Sequence, residues 1–502
     1  MANSKTSLYE IPPFLKTDVR LFQDHHRRLV ELGELHTGLT TKSESGLQAL
    51  PMELLLTILE QLEPEDLLQL RQCSRVLATV TRMQSIWLSM FKRHAKFWPR
   101  PLWLPKRLED SSSEEIQSYL ASRRTIDIAK LAGGPINETV TTVTYSSGRD
   151  RSFLGSLPGG RCFLILTGGG SIRYCDAQAT DKTQPELLFE PPSHGVTVDA
   201  EVGFDCLSML GETELFPRTF NAVILWTLAI PRPGPLRPIR GYVVEVWRIE
   251  PLLTDAGTCM YATHKLASFH EEPPAENLIR HPVIYGNHVA YVHRYGRRTI
   301  VVDWTTLPAA ESEDTRNSTF FRINIASVPS NLILLPGKRI ALMEGDLICV
   351  HDYGKYSQSN ALPNLRGPSH SSPIWIREVE SWGSGNSSPV VPFLVGNTLR
   401  LVVPTKEGID GVILPRTYDP TNHPIEVVPL YDCGKFPAVH EHYGYHKAVD
   451  ASCGLWCYYQ YSWPDEHVYP SGSSTGVRME YSNVHGIHFD EYRNCTVINT
   501  QD

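Results

Sequence analysis

The chain has 502 residues, with 47 lysines and arginines against 55 aspartates and glutamates, a formal net charge of -8 and 41% apolar residues. This composition is ordinary for a folded globular protein, and it lacks the basic excess that would point to a nucleic-acid partner. The longest apolar run, AVILWTLAI at 222–230, is about half a bilayer span, so no membrane partner is expected.

The opening MANSKTSLYEIPPFLKTDVR has no charged-then-apolar leader pattern, and the expected setting is intracellular, cytoplasmic or nuclear. Ten cysteines are scattered along the chain and read as free thiols, not as a disulfide framework.

Residues 1–46 read as an extension carrying one short amphipathic helix at 22–35, where Leu29, Leu32 and Leu35 recur on a charged background. The most sharply patterned stretch follows, LQALPMELLLTILEQLEPEDLLQLRQCSRVLATVTRMQSIW at 47–87. Leu54, Leu55, Ile58, Leu59 and Leu62 fall at the spacing of one broad apolar helix face. Pro51 and Pro64 suit first helical turns, where a missing N–H costs nothing, and Glu65 and Asp66 place negative charge at the positive end of a helix dipole. Ser74 is a candidate N-cap for a third short helix. Three helices in so short a segment cannot bury this much apolar surface alone, so part of it should face another protein.

The order Leu-Pro-x-Glu-Leu-Leu from Leu50, then Pro-x-Asp-Leu-Leu-x-Leu from Pro64, then Cys73-Ser74-Arg75 and Trp87 resembles an F-box. One departure is that Val76, Leu77 and Ala78 stand where many F-boxes carry an aromatic. The resemblance covers residues 47–92 and implies docking onto the Skp-type adaptor of a cullin-RING ubiquitin ligase, with no cofactor. It assigns Leu50 and Pro51 to the adaptor's helical groove and Ile58, Leu59, Leu62, Leu67 and Leu70 to apolar contacts. Leu54 and Leu55 share the same helix face, and Glu53 and Arg75 are polar matches.

Residues 93–135 read as a linker, proline-rich and then acidic and serine-rich, with a further helix at 116–132. From 136 to 502 the pattern becomes β: strand, glycine turn, strand. Such pairs occur at 161–177 around Gly168–Gly170, at 287–304 turning at Gly296, at 338–353 turning at Gly345, and at 396–419 and 454–499. Second strands end on Asp176, Asp303 and Asp352, and the last two are 49 residues apart. All-strand units of roughly 40–50 residues suggest propeller blades, about six to eight of them. The expected fold is therefore a multidomain α+β chain, a short helical F-box followed by a large all-β domain, with a pair of β-sandwiches as the alternative. The arrangement resembles fungal F-box proteins with a divergent propeller-like C-terminal region.

Chemistry is poorly supported. His440, His442 and His446, and His485, His488, Asp490 and Glu491, form a conceivable metal set, but alternating histidines in a strand simply share one face, and no metal is expected. Cys453 and Cys457 lack a second pair. The sequence GSSTG around Ser474 formally matches a nucleophile elbow but reads as a loop. A non-catalytic receptor fits better: an F-box that holds the adaptor, and through it a cullin, and a β domain that holds a target protein. Candidate target-binding side chains are Arg294, Arg297, Arg298, Trp382, Tyr443 and Tyr445. The rival readings are a ligand-binding or enzymatic propeller whose F-box only regulates it, and a scaffold bound to the adaptor outside a ligase.

Overall fold

The computed structural model describes residues 50–95, 108–120, 141–144 and, from 152 to 500, the strands and turns discussed below. The expected helix at 22–35, most of the expected helix at 116–132, and Gly296 lie outside the described residues. The chain divides into two compact units, Met1–Met90 and Phe91–Asp502.

The described residues of the first unit are mainly helical, and the last helix runs on past Met90. The helices are α1 (Met52–Leu59), α2 (Pro64–Cys73), α3 (Arg75–Val80) and α4 (Gln84–Ala95). Pro51 stands immediately before α1 in an extended conformation, and Pro64 opens α2 behind Glu63. Ser74 is extended and is the only residue between α2 and α3. Its hydroxyl accepts the Leu77 N–H at 3.2 Å, so one residue ends the first helix and caps the second. The sequence pattern does not separate out the fourth helix, because its apolar residues Ile86, Trp87, Met90 and Phe91 follow the last F-box signal closely.

Within the second unit, a helix begins at 113, inside the stretch that the sequence reads as linker. Ser112 and Glu115 form a reciprocal capping box. The Ser112 hydroxyl accepts Glu115 N–H at 3.2 Å, and the Glu115 carboxylate accepts Ser112 N–H at 2.7 Å.

The rest of this unit consists of seven sheets among the described residues, of three to five strands each. They follow one another along the chain at 152–189, 196–271, 279–325, 331–378, 392–432, 440–478 and 484–500. Neighbouring strands are antiparallel, with one exception: Thr141–Thr144 pairs in parallel with Cys495–Thr500 and joins the seventh sheet. The third sheet gains a fifth strand, Gln358–Ser359, from the segment that follows the third strand of the fourth. Ser474 lies in the strand Gly472–Arg478, opposite Tyr458, so the loop reading of GSSTG is corrected and no strand-to-helix elbow exists there.

Each of the middle sheets is covered on both faces. Tyr291 and Val289 pack toward Val244 and Phe269 of the second sheet, while the alternating Ala290 and Val292 pack toward Leu334 and Leu342 of the fourth. The same alternation sends Met343 of the fourth sheet against Leu401 of the fifth, and Val402 of the fifth against Trp463. Successive sheets stacked in chain order are what a propeller-like domain requires, and a pair of two-layer sandwiches does not provide this. The first strands of neighbouring sheets lie side by side: 484–490 beside 152–156, then 196–204, 279–285 and 331–335. They approach so closely that a Cβ at Gly203 would stand 2.2 Å from the Pro282 carbonyl oxygen.

Two of the three repeated aspartates, Asp303 and Asp352, have a local cause. Asp303 accepts Thr305 N–H at 3.1 Å and Asp352 accepts Gly354 N–H at 3.1 Å, each capping a single 3-10 turn, Trp304–Thr306 and Tyr353–Lys355. They punctuate the end of the third strand.

A buried charge cluster ties the second sheet to the third. Glu271, 1% exposed, accepts Arg322 Nε at 2.8 Å and Nη2 at 3.2 Å and also accepts the Tyr291 hydroxyl. Removing one member of such a pair strands the other in a dry interior. Glu271→Ala is expected to destabilise the β unit by about 3–5 kcal/mol, measured as a shift in the denaturant midpoint. A loss below about 1 kcal/mol would show that solvent reaches Arg322.

His293, 1% exposed and close to this cluster, has its pKa pushed below the ordinary 6.5 by burial. With the folded pKa below the unfolded one, neutral His293 contributes stability above about pH 6.5, and that contribution is lost as pH falls through the folded value. The stability gap between wild type and His293→Gln should therefore narrow from pH 7.5 to 5.5. A constant gap would contradict the assignment.

Candidate functional site

The helical unit presents an apolar surface whose residues are sorted by α1. Leu55 and Leu59 turn inward, at 2% and 0% exposure, while Leu54 and Ile58 stay outside at 53% and 39%. Pro51, Leu54 and Ile58 follow the i, i+3, i+7 spacing of one helix stripe, and all three are exposed. Further apolar residues join them on the surface of the unit: Met52, Leu68, Val76 and Met83. With Leu54 and Ile58, these are the large exposed apolar side chains of α1 and of the helices and turns that follow it.

Each expected contact residue can now be placed. Pro51, Leu54 and Ile58 are exposed, Leu50, Leu62 and Leu70 are half-buried, and Leu55, Leu59 and Leu67 are buried. Glu53 and Arg75 are exposed. Met52, Leu68, Val76 and Met83 escape a reading of the sequence because apolar periodicity marks a helix face without telling which part of it the fold consumes.

Behind this surface lies a polar knot. Trp87, fully buried, donates its indole N–H to the Thr81 carbonyl at 2.7 Å. Arg71 Nη2 donates to the same carbonyl at 2.9 Å, with its guanidinium 5.7 Å from the centre of the Trp87 ring. The Thr81 hydroxyl in turn donates to the Leu77 carbonyl at 2.7 Å. Three helices and the turn after α3 are thereby held by one carbonyl and one ring. Nothing in the sequence singles out Arg71, since a lone arginine near a helix C-terminus ordinarily serves only the dipole.

Residues 47–93 match the F-box-like family. The helical unit carries an F-box-like domain. Domains of this kind bind Skp-type adaptors and point to an adaptor role in ubiquitin ligase complexes. No curated protein matches the chain. Among solved structures, Hsv2 of Kluyveromyces lactis is similar at 10% identity and a TM-score of 0.26, covering 66% of this chain and 99% of that one. A Thermus thermophilus protein, described as a glucose dehydrogenase-type oxidoreductase candidate, is similar at 12% identity and a TM-score of 0.27, covering 68% of this chain and 98% of that one.

Of the expected target-binding residues, Arg294 and Arg297 are exposed at the two ends of the connection between the second and third strands of the third sheet, and Arg298 is buried at 9%. Tyr443 lies in the strand His440–Tyr443, and Trp382 and Tyr445 lie outside the described residues. Among the described residues, no group of three His, Cys, Asp or Glu side chains is placed to hold a metal ion, and no helix is long and apolar enough to cross a membrane.

The split in α1 separates two consequences. Leu59→Ala should cost about 2–5 kcal/mol of stability through the cavity it leaves, whereas Leu54→Ala and Ile58→Ala should stay within about 0.5–1 kcal/mol. Thermal unfolding of the three variants checks this, and equal losses would show that Leu54 and Ile58 belong to the core.

Proposed function

We propose that the chain is the substrate-receptor subunit of an SCF-type cullin-RING ubiquitin ligase, acting in the cytoplasm or nucleus. In this reading Pro51, Leu54 and Ile58, flanked by Leu50, Leu62 and Leu70, enter a groove of the Skp-type adaptor. A cullin is reached through that adaptor, and the propeller-like unit holds the target protein. Catalysis belongs to other subunits. What this subunit contributes is proximity, raising the effective concentration of the target's lysines near the charged conjugating enzyme.

The observation that carries the proposal is the outward apolar stripe of α1 within a segment that matches the F-box-like family. A helix-in-groove contact uses a few desolvated anchors for most of its energy. Leu55, Leu59 and Leu67 support these anchors from inside and touch the adaptor little. Pro51→Ala combined with Leu54→Ala should weaken binding to a Skp-type adaptor by about 2–4 kcal/mol in titration calorimetry, with the unfolding midpoint unchanged. Unaltered affinity would sink the assignment of the stripe.

A further inference from the structure

The third sheet holds a local concentration of positive charge that stands apart from the chain's net charge of -8. His293 and Arg298 are cross-strand partners. Arg294 therefore directly follows the first, and Arg297 directly precedes the second, of these facing residues. Both are exposed, and neither makes an ion pair among the described residues. Arg297 holds a left-handed backbone, φ 47°.

The neighbouring strand brings more. Arg294 N–H donates to the Leu278 carbonyl at 2.9 Å, and Arg280 pairs with Val292. Arg280 is thus a diagonal cross-strand neighbour of Arg294, at a spacing of about 7–8 Å that long side chains span. Arg280 gives Nη1 to Glu201 at 3.1 Å, while its Nε is buried without a hydrogen-bond partner. Next comes His281, in a β-bulge and held at φ 58° by donation of its N–H to the Glu201 carboxylate at 2.7 Å. Left-handed backbone at a residue other than glycine is costly and gathers at functional sites. His281 is exposed, and desolvation of its ring, then the charges of Arg280 and Arg294, lower its pKa below the ordinary value. Glu201 and Asp199 are the nearby counter-charges, and Glu201 is engaged by Arg280 and His281.

We propose that the end of the third sheet bearing Arg280, His281, Arg294 and Arg297 is an anion-binding surface that takes the carboxylate or phosphoryl groups of an acidic protein segment. Arg294 and Arg297 supply two unengaged planar forks suited to either group. Placing the acidic segment in a target protein rests on the receptor reading; the binding surface itself does not.

The test uses the full chain and two fluorescent peptides of one sequence, one glutamate-rich and unphosphorylated, the other with phosphoserines added, followed by polarisation at low and moderate salt. Binding should weaken at least tenfold in Arg294→Glu with Arg297→Glu and should weaken with salt in wild type. Binding of both peptides identifies carboxylates as sufficient, and binding of the second alone identifies the phosphoryl group; either supports the surface. Arg294→Lys with Arg297→Lys, which keeps charge and removes the forks, should recover part of the affinity and guards against misfolding of the reversal variant. No binding of either peptide, or equal binding by the reversal variant, overturns the proposal. Loss of adaptor capture with peptide binding intact would overturn the receptor reading alone.

Discussion

A helix of eight residues has room for an inward and an outward stripe, and in α1 both are apolar. Leu55 and Leu59 satisfy the need for a core, which leaves Leu54 and Ile58 in water beside Pro51. Apolar area in water raises the free energy of the isolated chain, and the proposed adaptor groove is where it would be relieved. The inner half needs stiffness for the outer half to dock without reordering. The Arg71, Thr81 and Trp87 knot supplies it, since one carbonyl fixes both the guanidinium and the indole.

The propeller-like unit obeys a different constraint, burial of sheets on both faces. Odd and even residues of a single strand, such as Tyr291 and Val292, enter different inter-sheet cores. Polar groups at these interfaces are paired: Glu271 with Arg322 across two sheets, and Arg400 of the fifth sheet with Asp465 in the exposed turn that follows Leu455–Gln460. Arg294 and Arg297 stand outside these cores, exposed at the ends of two strands.

This double burial also explains what is legible in the sequence. The hairpins read at 161–177, 338–353 and 396–419 are the two central strands of the first, fourth and fifth sheets, and the one at 287–304 is two of the three interior strands of the five-stranded third. Central strands are covered on both faces and read as continuous apolar runs. Edge strands such as Trp375–Glu378 and Gln358–Ser359 are short and largely exposed, and they leave no signal. The second sheet is not read as strands in the sequence: AVILWTLAI lies within its strand Phe220–Ile230 but is read only as an apolar run, and the next strand, Ile239–Leu253, carries Glu245, whose buried carboxylate is engaged by Trp226, Trp247 and Lys265. A charged letter in a strand looks exposed until its partners are known. Likewise the F-box is legible as a motif, while the division of its leucines between core and surface depends on the packing of α1 against the rest of the unit.

The most direct test is capture of the intact chain from a eukaryotic extract in parallel with a Leu54→Asp, Ile58→Asp variant, with the proteins that accompany each identified. A Skp-type adaptor and a cullin should accompany the intact chain and be absent from the variant, while the variant keeps its unfolding midpoint. If the intact chain brings down neither, or if the variant retains both, the outward stripe of α1 is not the docking surface and the receptor function falls with it.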